Sequence, residues 1–132
     1  MLPTDHIARA NHHFQYDFGN LYCFDHYVIG IINDQINFGT TEAKIILNDL
    51  NKYFTSKQFV YIANRAFSHN IDLSVYKLVN PKKLVGIAIV SLHENEIERA
   101  VEEQQLYSGS FGLFKNVESA IAWANTFQKV EG

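Results

Sequence analysis

The chain has few of the residues that build specialised chemical sites. Its 132 residues include one cysteine, one tryptophan, two prolines and seven glycines. A single cysteine excludes an internal disulfide and any zinc or redox motif that needs two cysteines. The sequence also lacks the Gly-rich phosphate-binding motifs G-x-x-x-x-G-K-[ST] and G-x-G-x-x-G, and the nucleophile motif G-x-S-x-G. Several common enzyme classes are excluded on these grounds.

Long apolar runs and an excess of basic residues are also missing. The longest apolar runs, at residues 27–32 and 85–90, are far too short to span a bilayer. The formal net charge is −3, whereas nucleic-acid-binding domains usually carry a basic stripe. The first 13 residues lack the apolar core of a signal peptide. We therefore expect a cytoplasmic protein that binds neither membranes nor nucleic acid.

Hydrophobic residues are plentiful, at 47% of the chain, and aromatic residues reach 14%. A chain of this length and composition can bury a core as one domain without disulfides. Residues 1–11 show no periodicity. We predict a flexible N-terminal arm over residues 1–11 and a single domain over residues 12–132.

The first third of the chain has the pattern of short β-strands. Aromatic residues alternate with polar ones over residues 14–18, and apolar runs follow at 21–24 and 27–33. Such runs predict a three-stranded antiparallel meander, with a turn at residues 19–20. Cys23 falls in the second run, which predicts a buried and unreactive thiol.

Helical spacing begins after Gly39 and then alternates with further strands. Apolar residues at 43, 46, 47, 50 and 54 predict a helix that Thr40 or Thr41 caps. Apolar runs at 59–63, 85–90 and 111–114 predict three more strands, each followed by a helix. The predicted caps of these helices are Asp72, Asn95 and Asn116. Alternation of strands and helices implies parallel pairing, so the predicted fold is α/β, with a mixed sheet in which the N-terminal meander precedes βα units.

No metal or other cofactor is expected. None of the six histidines has a partner at helical ligand spacing, and His12 and His13 are adjacent. A helix near residue 100 is rich in glutamate, with Ile97, Ala100 and Val101 expected to face the core. Its acidic residues are therefore expected to form a solvated face: Glu94, Glu96, Glu98, Glu102 and Glu103.

The most suggestive segment for function is the loop at residues 64–72. It follows a buried strand, and in open α/β sheets functional groups gather at the carboxyl ends of parallel strands. The segment offers an amide, a guanidinium, a hydroxyl, an imidazole and a carboxylate, from Asn64, Arg65, Ser68, His69 and Asp72. The same groups would also serve to cap the next helix and satisfy backbone groups. Ser68 and His69 are adjacent, so no catalytic triad is implied, and we assign no catalytic residue.

Three stretches carry a resemblance to a known family. They are Tyr-Ile-Ala-Asn-Arg at 61–65, Gly-Ile-Ala-Ile-Val at 86–90, and the ending at 113–123 in which Phe114 precedes Ala120 and Trp123. Over residues 14–128 the chain resembles the small, single-domain, SpoIIAA-like or STAS-type bacterial proteins, of the sort found in Bacteroidetes. The resemblance implies a SpoIIAA-like (STAS-like) fold.

The resemblance also implies a function. Family members of known role are anti-sigma-factor antagonists that are switched by phosphorylation of a serine after a central strand. Ser68 lies in the analogous loop, but the Asp-Ser-x-Gly signature of those switches is missing. We expect a non-enzymatic regulatory or protein-interaction module, switched at residues 64–72.

Its partner is expected to be another protein, and a homodimer through an edge strand is one option. The alternative hypothesis is a protein that binds a small apolar ligand in an aromatic-lined cleft.

Overall fold

The computed structural model of the protein describes residues 9–65 and 70–127. Residues 1–8 of the predicted N-terminal arm lie outside the described residues. The described part contains strands, three α-helices and a short 3-10 helix at Leu73–Leu78. The strands are β1 (His12–Tyr16), β2 (Gly19–Cys23), β3 (Tyr27–Ile32), β4 (Asn37–Phe38), β5 (Phe59–Asn64), β6 (Asn70–Ile71), β7 (Leu84–Val90) and β8 (Ser110–Phe114). The α-helices are α1 (Thr40–Tyr53), α2 (Glu94–Leu106) and α3 (Val117–Asn125).

Six strands form one mixed sheet in the order β1-β2-β3-β5-β7-β8. β1, β2 and β3 pair antiparallel, which confirms the predicted meander. β3, β5, β7 and β8 pair parallel, as the alternation of strands and helices predicted. The short strands β4 and β6 form a separate parallel pair. The α/β fold class with a mixed sheet is therefore confirmed.

The predicted turn at residues 19–20 is wrong, because both residues belong to β2. The turn lies at residues 17–18 instead. Gly19 pairs with Tyr16 on one side and with Ile32 on the other. A Cβ atom on Gly19 would lie 2.5 Å from the carbonyl oxygen of Ile31. The glycine therefore permits a close approach of two strands and does not mark a turn.

Two predicted helix caps are wrong and two are confirmed. α1 is capped by Gly39, whose N–H donates to Glu42 Oε1 at 2.9 Å, and not by a threonine. α2 begins at Glu94 with His93 as its N-cap, so the position predicted for the cap, residue 95, lies inside the helix. Asp72 caps the 3-10 helix, and Asn116 Oδ1 accepts a hydrogen bond from the Ser119 N–H at 2.8 Å at the start of α3.

The sheet is covered on both faces. α1, the 3-10 helix and α2 pack on one face, where Cys23 is fully buried, as predicted. α3 packs on the other face against β3, β5 and β7. Within the part of the chain that the structure describes, no helix combines the length and the apolar character needed to cross a membrane.

Candidate functional site

Three parallel strands end together at one edge of the sheet. The register pairs Asn64 at the end of β5 with Val90 of β7, and Val90 with Phe114 of β8. The next residues continue this alignment, because the Arg65 N–H donates to Val90 O at 3.0 Å and the Ser91 N–H donates to Phe114 O at 3.1 Å. Side chains that follow the three strands are thereby brought to a common edge.

A cleft of about 420 Å³ opens at this edge. The chain leaves β7 for α2 on one face of the sheet and leaves β8 for α3 on the other face. Neighbouring strands whose connections leave to opposite faces form a crevice outside their carboxyl ends, where ligands of open α/β proteins commonly bind. The residues that line the cleft come from the ends of the three strands, the two loops and the start of α3: Asn64, Arg65, Val90, Ser91, Leu92, His93, Lys115, Asn116, Val117 and Glu118.

Arg65 forms a buried ion pair with Glu103 of α2. Its Nη1 and Nη2 atoms donate to the two carboxylate oxygens at 2.7 and 2.6 Å, and the Tyr76 hydroxyl donates to Glu103 Oε1 at 2.5 Å. Burial lowers the pKa of Arg65, but the hydrogen bonds and charge of Glu103 outweigh burial and leave that pKa raised. Burial and Glu103 together raise the pKa of Tyr76. The Arg65 guanidinium is thus held by hydrogen bonds on the face of the sheet that α2 covers.

Glu103 is an exception to the prediction that most acidic residues of this helix face water. Its side chain is 0% exposed, whereas Val101, which was expected to face the core, is exposed. Glu103 shares the buried stripe of Ala100 and Tyr107, three and four residues away. That spacing is the signal in the sequence that would have revealed Glu103 as an inward-facing acid.

Asn64 lies at the base of the cleft. The residue is only 6% exposed, and its Nδ2 atom has no hydrogen-bond partner among the residues that the structure describes. Arg65 Nε, the guanidinium nitrogen that does not face Glu103, is also buried and has no hydrogen-bond partner among the described residues. Buried donors without partners are rare in folded proteins, so these two atoms stand out.

Asp72, another residue of the predicted site, is not among the residues that line the cleft. Asp72 accepts hydrogen bonds from the Ser74 N–H at 3.0 Å and from the Ser74 hydroxyl at 2.8 Å. These bonds hold the pKa of Asp72 below its usual value. Ser68 and His69 lie outside the described residues. The sequence did not point to Lys115 or His93 as neighbours of Asn64, since only strand order brings them together.

A second, apolar cavity of about 100 Å³ lies between the sheet and the layer of α1 and the 3-10 helix. Most of its lining is aliphatic, and the aromatic members are Phe38, Tyr61 and Tyr76. Phe54 and Phe59 instead stack on each other in the core, with ring centroids 4.5 Å apart. Over residues 9–65 and 70–127, no group of three or more His, Cys, Asp or Glu side chains is placed to hold a metal ion.

Comparison with known proteins identifies the fold. No family model matches the chain, and no curated protein sequence matches it. The crystal structure of an uncharacterised protein of the DUF3478 family, with a SpoIIAA-like fold and from Shewanella loihica PV-4, is similar, with a TM-score of 0.60 and 13% sequence identity. The match covers 80% of this chain and 91% of that one. The SpoIIAA-like fold predicted from the sequence is confirmed, while the association with Bacteroidetes has no support.

Proposed function

We propose that the protein is a non-enzymatic regulatory or protein-interaction module of STAS type, acting in the cytoplasm. The observation that carries the proposal is the exposure of Leu92, which is 76% exposed on the loop between β7 and α2. The carboxyl edge of an α/β sheet is where such proteins commonly bind ligands, and an exposed leucine there offers an apolar anchor for a protein partner. The engagement of Arg65 with Glu103, and of Asp72 with Ser74, also supports a non-catalytic role.

The proposal is tested by a substitution that removes the apolar contact and leaves the core intact. Leu92→Asp is expected to weaken binding of the partner at least tenfold, because burial of a leucine contributes about 1.5–3 kcal/mol. Leu106→Asp is the matched control. Leu106 is 51% exposed at the opposite end of α2, and α2 is about 20 Å long.

The measurement has two stages. The wild-type chain and both variants are used as baits in extracts of the native host, and retained proteins are identified by mass spectrometry. The candidate partner is then purified, and its Kd for each variant is measured directly. Binding that survives Leu92→Asp as well as it survives Leu106→Asp would contradict the proposal, as would the absence of any direct binding.

The regulatory part of the proposal concerns residues 64–72. Arg65 and Asp72 are each held by hydrogen bonds, so the intervening segment is attached to the fold at both ends. A phosphate on Ser68 would add about −1.5 to −2 charges to this segment. We expect Ser68→Asp to change the Kd for the partner and Ser68→Ala to leave it unchanged. Equal binding by both variants, with no phosphate on Ser68 in protein from the native host, would reject the switch but not the interaction.

A further inference from the structure

We propose that the cleft at the carboxyl ends of β5, β7 and β8 binds a phosphate group, either as the free ion or as a monoester of a small molecule. The inference concerns a ligand of this chain alone and does not depend on the protein-interaction role. It rests on a buried donor without a partner, on the start of a helix, and on the size and position of the cleft.

The first support is the unsatisfied side-chain amide of Asn64 at the base of the cleft. Asn64 follows Ile62 by two residues along β5 and therefore points to the same face of the sheet, the face that α3 covers. Its Nδ2 atom is buried and has no partner in the part of the chain that the structure describes. A buried donor without a partner costs free energy, which an acceptor on a ligand would recover.

The second support is the N-terminus of α3, a helix of nine residues. Asn116 Oδ1 accepts the N–H of Ser119, and Asn116 O accepts the N–H of Ala120. The N–H groups of Val117 and Glu118 have no intrahelical acceptor and line the cleft. Such groups, together with the positive end of the helix dipole, favour an anion.

Polar and charged side chains at the rim favour the same class of ligand, with one exception. Lys115 immediately precedes the cap of α3, is exposed, and lines the cleft. His93, the N-cap of α2, also lines the cleft. Glu118 also lines the cleft, and its carboxylate opposes an anion. This opposition makes Glu118 a sensitive position for a test.

The size of the cleft favours an organic phosphate over the free ion. Pockets for small molecules usually enclose about 300–1,000 Å³, and the cleft, at about 420 Å³, lies within that range. A phosphate group at the start of α3 would leave room for the remainder of a small monoester toward Leu92 and Ser91. The two sources share the same phosphate chemistry, and a titration distinguishes them.

The test is a titration of the purified, ¹⁵N-labelled chain, followed by NMR at constant ionic strength. Inorganic phosphate and glycerol phosphate are added separately, with chloride as the reference anion. We expect saturable shifts of the Val117 and Glu118 amides and of the Asn64 side-chain amide, with a Kd of about 1 mM or tighter. Tighter binding of the monoester assigns an organic ligand, and equal binding assigns the free ion.

Surface variants keep the test independent of folding. Lys115→Ala is expected to weaken binding about tenfold, because it removes a charge-assisted hydrogen bond. Glu118→Gln is expected to tighten binding severalfold, because it removes the opposing charge. Lys82→Ala, an exposed lysine before β7 at the other end of the sheet, is the control and should leave the Kd unchanged. Shifts that do not saturate, or that respond equally to Lys115→Ala and Lys82→Ala, would overturn the proposal.

Discussion

Gly30 is a position in the sheet where an added Cβ atom would crowd a partly buried side chain. It lies in β3, and a Cβ atom there would fall 2.0 Å from the Tyr61 hydroxyl oxygen and 2.6 Å from its ring carbon Cζ. Tyr61 also lines the apolar cavity, so the glycine makes room for the phenol of the neighbouring strand. Gly30→Ala is expected to lower the free energy of unfolding by about 1–3 kcal/mol, as overpacking of cores generally does. Urea denaturation measures the change.

Gly39 serves as a control that separates steric crowding at Gly30 from the general effect of replacing a glycine by alanine. A Cβ atom on Gly39 would meet its nearest atom, Glu42 Oε1, at 3.6 Å, which is an ordinary contact. Gly39→Ala should therefore destabilise the fold less than Gly30→Ala. In addition, Tyr61→Leu should cost less in the Gly30→Ala background than in the wild type. Unchanged stability of Gly30→Ala would show that Tyr61 moves aside freely.

At the scale of elements, one buried ion pair joins β5 to α2, and Tyr76 adds the 3-10 helix. Arg65 and Glu103 are both buried, and the Tyr76 hydroxyl donates to the same carboxylate. Glu103→Gln is expected to cost about 3–5 kcal/mol, because it leaves a buried guanidinium without a counter-charge. Tyr76→Phe is expected to cost about 1 kcal/mol, as for a single hydrogen bond. Both losses are measured by urea denaturation.

The double variant Arg65→Met with Glu103→Leu tests whether the ion pair itself adds to the free energy of unfolding, compared with apolar side chains at the same two positions. Apolar replacement of a whole buried pair is often neutral or stabilising. We therefore expect the double variant to be more stable than Glu103→Gln. A double variant whose loss of stability equals the summed losses of Arg65→Met and Glu103→Leu, each made alone, would mean that the ion pair itself contributes the stability.

Strands, helices and helix caps were predictable from the sequence where they depend on residues that are close together in the chain. The meander, the alternation of strands and helices, and the caps Asp72 and Asn116 depend on residues within a few positions of each other. The spacing of Glu103 from Ala100 and Tyr107 is a local sign that it faces inward, but its partner Arg65 lies 38 residues away and has no such sign. The predicted loop at residues 64–72 does begin at the end of β5, but Asn70–Ile71 form the strand β6 and are not part of a loop. That the cleft also takes Lys115 and His93 follows from strand order, which the sequence pattern leaves open.

For the whole molecule, buried thiol and phenol groups predict a loss of stability at alkaline pH. Burial raises the pKa of Cys23 from about 9 to about 12, and that of Tyr107 from about 10 to about 12. Burial also raises the pKa values of Tyr16 and Tyr61. In each case the folded state favours the neutral, protonated form. The contribution to stability is therefore complete below the unfolded pKa and is lost as the pH rises toward the folded pKa.

The free energy of unfolding should thus fall as the pH rises above about 9, by about 1.4 kcal/mol per pH unit for each group that only the unfolded chain has deprotonated. Urea denaturation between about pH 8 and pH 11 measures this slope. Because the thiol deprotonates first in the unfolded chain, Cys23→Ala should delay the onset of the fall to about pH 10, where the tyrosines begin to titrate. The same burial predicts that Cys23 reacts with thiol reagents only as fast as the chain unfolds. A free energy of unfolding that stays constant up to pH 11, or a Cys23 that reacts rapidly in the folded protein, would mean that water reaches the core around β2. The two measurements together therefore test whether the core of the sheet is as dry as the burial of Cys23 indicates.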